Sequence, residues 1–165
     1  MGAKLTSNID CIRVRVTHTA PSGASFVSII SMDLDPQDLK FPTANNSTDC
    51  TGLTNPSNAH TCNDSFAVAA GDIGAWNTMY KTFGFAIPAE NTITNVELLA
   101  SWKATNVGAT LTLGIGKPGT PDTCGNFTNY PEGNASGSDT SDGTGQFQHP
   151  VFDVTNTGHS WVPSD

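Results

Sequence analysis

The chain has 165 residues, enough for one domain or for one domain with a tail. Charged residues make up 13%, and seven Lys and Arg against fifteen Asp and Glu leave a net charge of −8. That balance argues against a nucleic-acid partner, which needs clustered basic residues, and there is no run of about 18 apolar residues to cross a membrane as a helix.

In chain order, Met1-Gly2-Ala3-Lys4 leads into polar residues without a leader pattern. The segment Ser7–Pro21 then alternates and stops at proline. Ile12, Val14 and Val16 share one face, and Arg13, Arg15 and Thr17 share the other. Phe26–Met32 reads as a central strand. A short helix capped by Asp is expected at Asp35–Leu39 or Asp72–Trp76. Phe83, Phe85 and Ile87 alternate up to Pro88. Val96, Leu98, Ala100 and Trp102 face one way, opposite Glu97, Leu99, Ser101 and Lys103. Leu111, Leu113 and Ile115 alternate with Thr110, Thr112 and Gly114, and Val151–Val154 is a short strand. Between these lie long polar loops at 33–62 and 117–145, the latter without a strand signal from Glu132 to Gly145. Helical periodicity is absent over any long window. The expectation is an all-β antiparallel sandwich, jelly-roll-like, with segment 1–21 as an N-terminal strand and 22–165 as the sandwich.

The four cysteines Cys11, Cys50, Cys62 and Cys124 match no zinc spacing. Cys50 and Cys62 flank a polar loop and are expected to pair locally. Cys11 and Cys124 would then pair with each other or across a subunit boundary. Four reduced thiols are the alternative, but the loop composition favours oxidation and an extracellular setting. Sequons mark Asn45, Asn46, Asn63, Asn126 and Asn134 as glycosylation candidates, all in expected loops. Asp33, Asp35 and Asp38, and separately Asp139 and Asp142, are oxygen donors of the kind Ca²⁺ takes, though neither group has a complete calcium-loop spacing. No other cofactor or metal is expected. Trp102 reads as core and Trp161 as packing at the end of the sandwich. Trp76 is the candidate for stacking on a glycan. His18, His60, His149 and His159 share no ligand spacing, and no nucleophile or phosphate-loop motif occurs, so no catalytic residue is assigned and an enzyme is not expected.

Phe83, Phe85, Ile87, Pro88, Thr92, Ile93, Val96 and Leu98 resemble a segment of β-sandwich domains in large bacterial, archaeal and phage surface proteins. In those domains a Trp-x-Pro element comes later, followed by a final strand of the type Ile-Asp-x-Ile-x-Val-x-Val. Trp161-Val162-Pro163 is similar to the first, and Ile9–Val16 looks like the last, yet it stands at the start of the chain. The resemblance implies either a circularly shifted sandwich or a strand given to a neighbour, as in strand-donating protomers of extracellular filaments. It makes Ile9, Cys11, Ile12, Val14 and Val16 the expected subunit-contact strand. The expected role is a structural protomer polymerising head to tail with copies of itself, and carrying or contacting glycans. A carbohydrate-binding or adhesive module, or a phage virion or tail component, is the alternative.

Overall fold

The computed structural model describes residues 5–19, 37–46, 53–71, 78–117, 128–129, 136–155 and 160–163. They form β1 (Leu5–Thr19), β2 (Gln37–Lys40), β3 (Ala44–Asn46), β4 (Ala67–Gly71), β5 (Met79–Lys81), β6 (Thr92–Ala104), β7 (Val107–Gly114), β8 (Gly116–Lys117), β9 (Thr128–Asn129), β10 (Ser136–Asp142) and β11 (Val151–Asp153). A 3-10 helix spans Pro56–His60, and there is no α-helix among the described residues. Every strand pairing is antiparallel.

The principal sheet runs in the order β11-β6-β1-β2, with β4 also paired to β1. One edge of β1 is covered by β6 from Ser7 to Thr19. The other edge is shared: β2 takes Val14–Thr17, and β4 takes Leu5–Ile9. Smaller two-stranded sheets are β7–β10, β3–β5 and β8–β9.

The alternation seen in the sequence is what builds this sheet. Ile12, Val14 and Val16 stand opposite Ala100, Leu98 and Val96, and all six are buried. Ile9 would fall on the other face under strict alternation. The register shift between Ile9 and Cys11 leaves Asp10 as an extra residue and returns Ile9 to the core beside Trp102. Burying Ile9, Ile12, Val14 and Val16 is worth about 1.5–3 kcal/mol each before entropy costs.

Leu111 and Leu113 of β7 join the same core. Trp102, fully buried, donates its indole N–H to the Asp139 carboxylate of β10 at 2.7 Å. The Phe152 ring lies against Gly137, where a Cβ would come within 2.1 Å of a ring carbon. The β7–β10 ribbon is therefore tied to the core at three places.

Several expectations are corrected. Phe83–Ile87 forms no strand ladder, because Thr82 and Gly84 sit in the left-handed region at φ 61° and 66°. The three apolar side chains still pack on the core. Asp38 and Leu39 belong to β2 rather than a helix. The stretch 33–62 contains β2, β3 and the 3-10 helix, and 117–145 contains β9 and β10. These are short or polar strands whose partners, not their own apolar pattern, define them. Phe26–Met32 and the Asp72–Trp76 segment lie outside the described residues.

Candidate subunit-contact strand

β1 and β6 together supply most of the buried core. β1 carries Ile9, Ile12, Val14 and Val16 on one face and Cys11, Arg13, Arg15 and Thr17 on the other. The second face is not a solvated one. Cys11 is fully buried, and Leu99 and Ser101 on the adjoining strand are buried too. Arg15 stands directly opposite Glu97 in the register and donates to its carboxylate at 3.0 Å. Because the pair is partly exposed, it is worth well under the value of a dry pair, on the order of 1 kcal/mol or less. In this structure β1 lies in the sheet of its own chain.

Cys11 is bonded to Cys62, closing 51 residues of sequence separation. The expected local pair Cys50–Cys62 is thereby corrected, as is a role for Cys124 as the partner of Cys11. Nearness in sequence suggested the local pair, but the bulge at Asp10 and the approach of the 3-10 helix to β1 decide the outcome. Cys50 and Cys124 lie outside the described residues. The disulfide suggests a non-cytoplasmic setting, and no helix among the described residues is long and apolar enough to cross a membrane.

The residues before Cys62 are held firmly. Ala59 is buried in the core. Asn58 donates its amide to the Phe66 carbonyl at 3.0 Å, and Tyr80 donates its hydroxyl to the Pro56 carbonyl at 3.0 Å. The His60 and Tyr80 rings meet edge-on at 5.9 Å. Burial pushes the Tyr80 phenol well above its ordinary pKa. These contacts aim an exposed Cys62 at a buried Cys11.

The other candidates scatter. Asn63 is exposed, and its side-chain oxygen accepts the Ser65 N–H at 3.1 Å. Asn45 and Asn46 lie in strand β3 rather than in a loop, Asn45 opposite Tyr80. Asn126 and Asn134 lie outside the described residues, as do Trp76, Asp33 and Asp35. Asp139 spends a carboxylate oxygen on Trp102, and Asp142 accepts from the Thr144 N–H and hydroxyl at 2.9 and 2.8 Å. Among the described residues no group of three or more His, Cys, Asp or Glu is placed to hold a metal ion. Trp161 packs on the core and donates to the Thr155 carbonyl at 3.3 Å.

Sequence reasoning missed Cys62 as the partner of Cys11. It also missed the bulge, although the apolar pair Ile9 and Ile12, three residues apart in a strand, carries that signal. Lys103 was read only as an outward position. Its ammonium lies 4.7 Å from the Phe66 ring centre and 4.5 Å from that of Phe147, an arrangement that only the fold assembles. No family model, no curated protein and no solved structure matches the chain.

Proposed function

We propose that this chain is a structural protomer of an extracellular filament, assembled head to tail by donation of β1 to the next copy. The observation that carries the reading is the central place of β1. One 15-residue strand fills the gap between β6 on one side and β2 and β4 on the other. Residues 20–36 separate β1 from β2 in the sequence. Without β1, the edges of β6, β2 and β4 are left unpaired and the core opens. A β1 from a second copy has the same residues and the same register, so it fits the gap as well as the chain's own. Such a contact is heterologous and, when it does not close into a ring, it propagates.

In the same reading, the principal sheet and the β7–β10 ribbon are facing layers of a jelly-roll-like β-sandwich. The support is their shared core of Leu98, Trp102, Leu111, Leu113 and Phe152. The low charge content and the disulfide favour a surface appendage over a cytoplasmic role.

Electron microscopy and light scattering of the purified full chain test this. Filaments that lengthen with concentration are expected once a mild thiol has opened the Cys11–Cys62 bond. An excess of a peptide of residues 5–19 should shorten them by filling acceptor sheets, and the same peptide carrying Val14→Asp should not. Discrete monomers at every concentration, before and after mild thiol treatment, would overturn the reading.

A further inference from the structure

We infer that the Cys11–Cys62 bond moves between chains during assembly, so that Cys62 of each copy is the covalent acceptor for Cys11 of its neighbour. The inference rests on the strand-donation reading above and adds to it a chemical step and a site.

Three observations carry it. First, the disulfide ties the mobile candidate, β1, to a part of the fold that would stay behind. While it is closed within one chain, β1 cannot leave its own sheet. Second, the two sulfurs are unequal: Cys11 is fully buried within the sheet, whereas Cys62 belongs to an exposed stretch just after the 3-10 helix. Of the two, Cys62 is therefore the one a dissolved thiol approaches. Third, the landing point is set in advance. The bulge puts Cys11 opposite Ser101 whenever β1 pairs with β6, and the Tyr80 and Asn58 contacts hold the segment before Cys62 in place. Neither device depends on which copy supplies the strand.

The exchange balances without an external oxidant. A small thiolate attacks the Cys62 sulfur, the intrachain S–S bond breaks, and Cys11 leaves as a thiolate that takes up a proton. Cys62 is then a mixed disulfide with the small thiol. When a neighbour's β1 enters, its Cys11 loses its proton and attacks the Cys62 sulfur, and the small thiol departs. One S–S bond inside a chain has been replaced by one between chains, and the thiol is regenerated. Each junction ends covalently closed.

The test mixes equal amounts of isotope-labelled and unlabelled full chain with a glutathione buffer, then quenches with an alkylating reagent. Peptides joining Cys11 to Cys62 are read by mass spectrometry, and chains are run on a denaturing gel without reductant. Mixed-isotope linked peptides are expected to rise from none to the proportion given by random pairing, together with a ladder of multimers. A chain reduced and then alkylated before mixing should keep both signals at zero. The doubly substituted Cys11→Ser, Cys62→Ser chain should form filaments without any thiol, and these should fall to monomers in detergent. Filaments that carry no Cys11–Cys62 link, with Cys11 left as a thiol, would overturn the inference and leave strand donation standing, whereas filaments whose linked peptides are all same-isotope would overturn both. A serine variant that still needs thiol to assemble would also overturn it. No filaments from either chain under any condition would remove the donation reading and this one together.

Discussion

The β1–β6 pair and the β7–β10 ribbon are both antiparallel ladders against one core, but they are held in opposite ways. Along β1 and β6, apolar side chains alternate, and what binds them is area removed from water. Along β10, the inward positions are Gly137, Asp139 and Ser141, and none is apolar. Gly137 makes room for the Phe152 ring, Asp139 accepts the Trp102 indole N–H, and Ser141 donates its hydroxyl to the Ala104 carbonyl at 3.1 Å. The outward residues Ser138, Thr140 and Asp142 are exposed. A strand can thus be specified by three individual partners instead of by hydrophobic pattern. The non-directional kind of contact tolerates replacement by any strand with the right spacing, as strand donation requires. The partner-specific kind does not.

The comparison can be broken first where the two regions meet. Trp102→Ala removes a fully buried ring from β6 and the donor to Asp139 from β10. It should cost about 3–5 kcal/mol in urea unfolding, the largest loss of the set, and unfolding at room temperature would be within its range. The Cys11→Ser, Cys62→Ser pair acts on the β1 side alone. Chain-entropy reasoning gives a loss of about 2–4 kcal/mol for a loop of this size, read as a lower urea midpoint. An unchanged midpoint would mean that β1 is held by its ladders without the covalent tie.

Gly137→Ala acts on the ribbon alone. Its new Cβ would press into the Phe152 ring, and overpacking of this kind costs about 1–3 kcal/mol. Phe152→Ala in the same chain should recover part of that loss, and simple additivity of the two changes would show that the contact is not the cause.

The smallest effect concerns acid. The Thr144 N–H and hydroxyl hold the Asp142 carboxyl below its ordinary value, and the Thr155 hydroxyl and N–H do the same for Asp153. A pKa lowered by folding gives stability that is present above the unfolded value and is lost as pH falls through the folded one. Both side chains are therefore expected to titrate below an ordinary aspartate by NMR, and Thr155→Val should move Asp153 upward while leaving Asp142 alone. A normal midpoint for Asp142 would show that the turn after β10 is loose.

Much of the first region was readable. Ile12, Val14 and Val16 on one face of β1, and Val96, Leu98, Ala100 and Trp102 on one face of β6, are where the alternation puts them, and β11 at Val151–Asp153 falls where a short strand was expected. The second region was half readable. β7 carries Leu111 and Leu113 at the expected spacing, but SGSDTSD has nothing apolar to alternate, so β10 read as loop. Phe83, Phe85 and Ile87 failed in the other direction. Their spacing is that of a strand, but backbone turns at Thr82 and Gly84 deny them a ladder while still delivering their side chains to the core. On β1 the buried face of Ile12, Val14 and Val16 was legible, and the covalent partner of Cys11 was not.

By itself, then, the sequence determined an all-β antiparallel chain and the apolar faces of its two longest strands, because a period of two is a local property that survives without knowledge of partners. Tertiary structure alone decided that β1 lies between β6 and the β2 and β4 edges, that Cys11 meets Cys62, and that a polar heptapeptide becomes a strand. Each of these depends on which distant residue stands opposite. A one-residue bulge at Asp10, a glycine beneath a ring and a carboxylate beneath an indole set those distances, and none of them leaves a periodic trace in the chain.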